Sequence, residues 1–239
     1  MRITRSPRDV QTIVERQVRK WGLEREPRPE LEPDVPWPLV TISREFGTQG
    51  AEMGRLVAQQ LGFSYWDQEL VEAIAEETGA QKTLVASLDE TARSRLDDFL
   101  TEAVGGVSGT VGEYVRQVAR ISGVLKNHGA AVVIGRGVQF ILEPEEMLRV
   151  RVIAPEGRRV AGVAERQGIT SKEADRVVRR VERERLSFIR RHYGVEVDDA
   201  RHYDLVVNTG FFSLEAAAAV VVAAYKGKFG RLPEAPAGS

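Results

Sequence analysis

From Leu39 onward, short β-rich apolar runs alternate with longer stretches of helical spacing, and this alternation narrows the fold more than any other feature. Leu39–Ser43, Phe63–Trp66, Ala131–Ile134, Met147–Ile153 and Asp204–Asn208 read as strands. Helices are expected at Ala51–Leu61, Gln68–Thr78, Pro155–Gln167, Ser171 to about Arg191, and Ser213–Tyr225. Residues 83–127 also look helical, with a break at Gly105–Gly112, where four glycines in eight residues interrupt a helix. Strands separated by helices need crossover connections, so the strands run parallel and helices cover both faces. The expectation is an α/β fold: a five-stranded parallel sheet flanked by helices, with no internal repeat.

Ahead of this pattern, residues 8–24 space Val10, Ile13, Val14, Val18 and Trp21 as one face of an amphipathic helix. Residues 26–38 hold five prolines and several acids, the signature of a stiff, extended linker. This divides the chain into an N-terminal helix and linker (1–38), a main domain (39–228) and a flexible tail (229–239). The helix either packs back on the main domain or serves a partner protein or a second copy of the chain.

Composition excludes several function classes. A formal net charge of −1 leaves no global field for nucleic acid or anionic membranes. The chain has no cysteine, so disulfide scaffolds, thiolate zinc sites and cysteine nucleophiles are out. The N-terminus shows no secretory h-region, and the longest apolar run, Ala216–Tyr225, is far short of the roughly 20 residues that span a bilayer. A cytoplasmic protein binding neither nucleic acid nor membrane is expected. His128, His192 and His202 have no metal-ligand spacing, and no resident metal site is expected.

The chemistry concentrates at strand ends. In ISREFGTQGAEMG, a turn with Gly47 and Gly50 joins the first strand to a helix. Backbone amides and the helix dipole there form a cradle for phosphate, built from Ser43, Gly47, Thr48, Gln49, Gly50, Ala51 and Glu52. The turn lacks the lysine of a GxxxxGK[ST] loop, and Arg44 is the cation placed to supply part of that charge. Arg136 stands between Gly135 and Gly137 after an apolar strand, a setting that packing explains poorly and a phosphate-binding fork explains well. Asp67 reads either as a helix N-cap or as an acceptor of hydrogen bonds from a ligand. Residues 149–202 carry 13 arginines, one lysine and nine acids, a local excess of positive charge against the rest of the chain.

Three runs together, Ile42–Leu70, Val132–Leu142 and Tyr203–Ala217, resemble the cytidylate kinase-like family, a divergent branch of the P-loop nucleoside monophosphate kinases. The resemblance implies a helical insert that binds the monophosphate and a lid at about 168–195. It implies ATP and Mg²⁺ as cofactors and small nucleotides as partners. The activity implied is transfer of the γ-phosphoryl group to a pyrimidine nucleotide, CMP foremost. Arg136 would hold the acceptor phosphate and Asp67 the acceptor nucleoside, while Arg183, Arg185 and Arg190 would be the lid arginines around the donor. Many members carry an arginine after the second turn glycine, where this chain has Ala51. The alternative is a degenerate nucleotide-binding sensor or scaffold.

Overall fold

The computed structural model describes residues 6–24, 36–104, 109–230 and 232. Most of the proline-rich linker and of the C-terminal tail, and the first half of the glycine-rich break, therefore lie outside the described residues. Five parallel strands form one sheet in the order β2–β3–β1–β4–β5: β1 Leu39–Arg44, β2 Ser64–Trp66, β3 Ala131–Ile134, β4 Met147–Ile153 and β5 Leu205–Asn208. The expected α/β architecture is the observed one.

The strands are apolar on both faces because both faces are covered. Val40, Ile42, Val132, Ile134 and Val150 point to α2 (Gly50–Leu61) and α9 (Leu214–Phe229), where Met53, Val57, Val221 and Tyr225 complete the layer. Leu39, Val133 and Met147 alternate to the other face, against α3 (Gln68–Glu76), α4 (Thr78–Ala86), α5 (Glu90–Val104) and α6 (Gly109–His128). The helix expected over Gln68–Thr78 ends earlier. Glu77 leaves helical geometry, its side chain accepts from the Gly79 amide at 3.1 Å, and α4 restarts there.

The N-terminal helix α1 (Pro7–Glu24) lies on α3 and α4. Val10, Val14 and Trp21 are buried in the same core as the sheet. Trp21 stacks on His128 with ring centroids 3.7 Å apart, and Gln11 Nε2 donates to Thr83 Oγ1 at 3.0 Å. The apolar stripe that needed a cover finds it within the chain.

Past β4, α7 (Glu156–Gln167) and α8 (Ser171–Tyr193) form a hairpin around Val163, Ala174 and Val178. A capping box between Thr170 and Glu173 starts α8. Phe46, from the glycine turn, packs into this hairpin and so ties the turn to α7 and α8. No helix among the described residues is long and apolar enough to cross a membrane.

Candidate functional site

In an open parallel sheet, ligands bind in the crevice beyond the carboxyl ends of the strands, where β1 leads into its turn. The turn is held by its own hydroxyl: Thr48 Oγ1 donates to the Glu45 carbonyl at 2.9 Å and accepts from the Gly50 amide at 3.3 Å. From outside, Thr209 Oγ1 donates to the Thr48 carbonyl at 3.0 Å, so the end of β5 braces the turn. Gln49 takes a left-handed conformation, φ 57°, at the N-cap of α2 and makes no side-chain capping bond. With the Gly50 amide held by Thr48 and the Met53 amide by the Gln49 carbonyl, the amides of Ala51 and Glu52 in the first turn of α2 are the ones open to an anion. Glu182 of α8 accepts the Phe46 amide at the start of the turn.

Two cavities meet at this crevice. The smaller, about 350 Å³, is walled by Gly47, Gln49, Gly50, Ala51 and Glu52 of the turn, by Arg55, Asp67 and Glu69, and by Arg166 of α7. The larger, about 600 Å³, is walled by Ser43, Arg136, Gln139, Arg151 and one side of α8. Arg44, Phe46, Gln68, Glu69, Gln167 and Arg185 belong to both walls.

Arginines dominate the shared region. Arg44 Nη2 donates to Gln68 Oε1 at 2.7 Å, and Arg185 Nη1 donates to the Arg44 carbonyl at 3.1 Å. Burial, and then the neighbouring Arg185 charge, pull the Arg44 guanidinium down to about 9 from its ordinary value. Burial likewise lowers Arg185, against the opposing pull of Glu182. Two desolvated cations pressed together are relieved by an anion between them.

Arg136 is buried and sits at φ 61°, a left-handed conformation for a residue with a side chain. Its Nη2 is paired with Glu72, its guanidinium lies 5.3 Å from the centre of the Phe188 ring, and its Nε has no partner. The Tyr193 hydroxyl donates to the Arg136 carbonyl, and the ring covers Gly137, where a Cβ would stand 2.2 Å from Tyr193 Cε2. Burial pushes the Tyr193 hydroxyl far above its ordinary value and Tyr114 up to about 12, so both hydroxyls stay protonated. The glycine on each side of Arg136 thus admits a side chain: Arg44 against Gly135 and Tyr193 against Gly137.

Of the residues expected from sequence, Ser43, Arg44, Arg136 and Arg185 gather at the larger cavity, and Gly47, Gln49, Gly50, Ala51, Glu52 and Asp67 at the smaller. Ser43 turns from the glycine turn to Arg151, its register partner on β4, whose Nη1 donates to Ser43 Oγ at 2.9 Å. Thr48 holds the turn from behind and lines neither cavity. Asp67 caps α3, its carboxylate accepting from the Leu70 amide at 2.8 Å, and it also lines the smaller cavity. On α8 the three arginines expected in a lid part company. Arg185 turns inward, Arg183 is exposed and lines neither cavity, and Arg190 is exposed and paired with Glu196 at 2.7 Å.

Sequence reasoning did not single out Gln68, Glu72, Gln139, Arg151 and Arg166. A signal existed for two of them. Arg151 is a charge inside the apolar run MLRVRVI, and Glu72 lies one helical turn from Gln68 on the same face.

This crevice belongs to the class of open, parallel α/β domains that bind ligands at the end of the first strand. More particularly, the chain belongs to the cytidylate kinase-like family, whose model matches residues 39–210. The family points to a nucleotide kinase. Among curated proteins, the cytidylate kinase of Pyrococcus horikoshii is 30% identical over 112 residues, or 47% of this chain. The match spans 58% of that relative's length. The crystal structure of an uncharacterized protein from Eubacterium ventriosum superposes with a TM-score of 0.62 at 18% identity. It covers 80% of this chain and 98% of that one, a likeness of fold alone.

Proposed function

We propose that the protein is a kinase that transfers the γ-phosphoryl group of ATP to a pyrimidine nucleoside monophosphate, CMP foremost. The observation that carries this reading is the shared wall: a cavity at an uncapped glycine turn opens beside one that holds Arg136, with Arg44 and Arg185 between them. Phosphoryl transfer needs a donor and an acceptor site that meet at the transferred group, with positive charge where they meet.

In this reading the amides of the turn and of the first turn of α2 hold the donor phosphates, and Arg136, oriented by Glu72, holds the acceptor phosphate. An acceptor phosphate oxygen forms the new P–O bond as the β–γ bridging bond breaks and ADP leaves. That oxygen is already anionic, so no general base is needed. Arg44 and Arg185 stabilise the charge on the group in transit and stand in for the lysine that the turn lacks. Mg²⁺ supplies further neutralisation of the donor phosphates, and Glu52 and Glu69, carboxylates in the wall of the smaller cavity, fit the oxygen donors it takes through water. The α7–α8 hairpin, about residues 168–195, acts as the lid, and residues 39–228 form the kinase domain. A cytoplasmic setting accords with ATP as donor.

The test is ADP formation with Mg·ATP across a panel of nucleoside monophosphates. Turnover greatest with CMP supports the assignment. A second reading, a nucleotide-binding sensor without turnover, draws on the absent lysine and on the Glu182 carboxylate at the Phe46 amide, where a phosphate would compete. Binding of ATP or CMP with no ADP at high enzyme concentration selects that reading. Arg44→Ala then separates the two further, because in a kinase it lowers turnover about 10²-fold or more while sparing ATP affinity.

A further inference from the structure

Three polar atoms on residues that line the larger cavity are buried with no hydrogen-bond partner: Arg136 Nε, Arg151 Nε and Gln139 Oε1. A buried polar atom without a partner is costly to a fold, and several around one cavity mark a surface completed by a ligand. Arg136 has its role in the proposed acceptor phosphate site. The other two have no part in that site.

Gln139 lies on the short turn Val138–Phe140, three residues past Arg136, and is 6% exposed. Its carboxamide lies against the Tyr203 hydroxyl. Arg151 is 5% exposed and anchored at both ends of its fork, Nη1 to Ser43 Oγ at 2.9 Å and Nη2 to Asp198 Oδ1 at 2.6 Å. The Tyr203 hydroxyl joins the two, donating to the Val197 carbonyl at 2.7 Å and standing 3.4 Å from Ser43 Oγ. On two residues of one cavity wall, linked through Tyr203 and Ser43, the chain thus leaves one N–H donor, on Arg151, and one acceptor, on Gln139. A donor and an acceptor on one cavity wall complement an acceptor and a donor on a ligand, and a pyrimidine base presents such a pair along its pairing edge.

We propose that Gln139 and Arg151 read the hydrogen-bonding edge of the nucleobase on the phosphorylated acceptor, making them specificity-determining residues of the larger cavity. The proposal rests on the kinase reading above. It assigns base recognition to a residue pair outside both the glycine turn and the lid.

Calorimetry of CMP and of ribose 5-phosphate, which has the sugar and phosphate but no base, tests it on the full chain. Gln139→Met keeps the volume and removes the amide. It should weaken CMP about tenfold or more and leave ribose 5-phosphate unchanged. Gln139→Asn, with the carboxamide drawn back by one methylene, should show the same selective loss at the parent's melting temperature. This keeps the test intact if the Met variant does not fold. Equal CMP affinity in variant and parent overturns the inference and leaves the kinase reading standing. Equal losses for CMP and ribose 5-phosphate overturn it as well, because Gln139 would then be shaping the phosphate site. A parent that binds no pyrimidine nucleotide fails the kinase reading itself, and the inference with it.

Discussion

Arg44 Nη1 occupies the space that a side chain at position 135 would need: a Cβ on Gly135 would stand 2.2 Å from it. Gly135 is also left-handed, φ 72°, so an alanine there meets both backbone strain and a guanidinium. We expect Gly135→Ala to cost about 1–2 kcal/mol from the backbone alone, measured by urea unfolding. It should also drive Arg44 from Gln68 and reduce turnover. In an Arg44→Ala background the same substitution should retain only the backbone cost. Full additivity of the two changes would mean that the residues do not interact.

Arg185 and Arg190 make a matched pair of tests on one helix. Arg185 reaches the Arg44 carbonyl and lines both cavities, whereas Arg190 is exposed and paired with Glu196. Arg185→Ala should lower kcat with CMP and Mg·ATP by about 10². Arg190→Ala should leave both kcat and the urea midpoint near the parent values, because an ion pair in full contact with water contributes little. Equal effects in steady-state kinetics would place the lid's working arginine elsewhere.

Asp67 caps α3 and lines the smaller cavity, and one substitution can part the cap from the acceptor contact proposed for it. Asparagine caps helices about as well as aspartate, so Asp67→Asn should stay within about 0.5 kcal/mol of the parent in urea. Removing the carboxylate should nevertheless raise the KM for the acceptor. A stability loss with unchanged KM would leave only the cap.

Trp21 tests the place of α1. It is 6% exposed and stacked on His128. Trp21→Ala should cost about 3–5 kcal/mol in urea unfolding of the isolated chain. Unchanged stability would mean that the helix does not hold to its own domain and would reopen a partner for it.

The sheet was legible because both of its signals are local. Each strand is a short apolar run bounded by turn residues, and three of the four connections between successive strands carry helices, so order along the chain and parallel direction follow from periodicity. The glycine turn was legible for the same reason, since Gly47, Gly50 and the helix after them are contiguous. Helix ends were less so. The stop at Glu77 depends on a side chain bonding to a backbone amide two residues on, a competition that helical spacing does not record.

For α8 the sequence alone established a helix crowded with arginine, and its period could not say which arginine faces a ligand. Arg183 and Arg185 differ by two positions and turn to different sides, a choice made by where the α7–α8 hairpin packs on Phe46. Arg151 shows the same division more sharply. Its presence in an apolar strand is written in the sequence, yet its role depends on facing Ser43 across the β1–β4 register, 108 residues away. Strand register and helix packing bring together residues that no local pattern relates. The chain order therefore determined that a glycine turn, a parallel sheet and a basic hairpin would exist, and tertiary packing decided which side chains meet in the crevice.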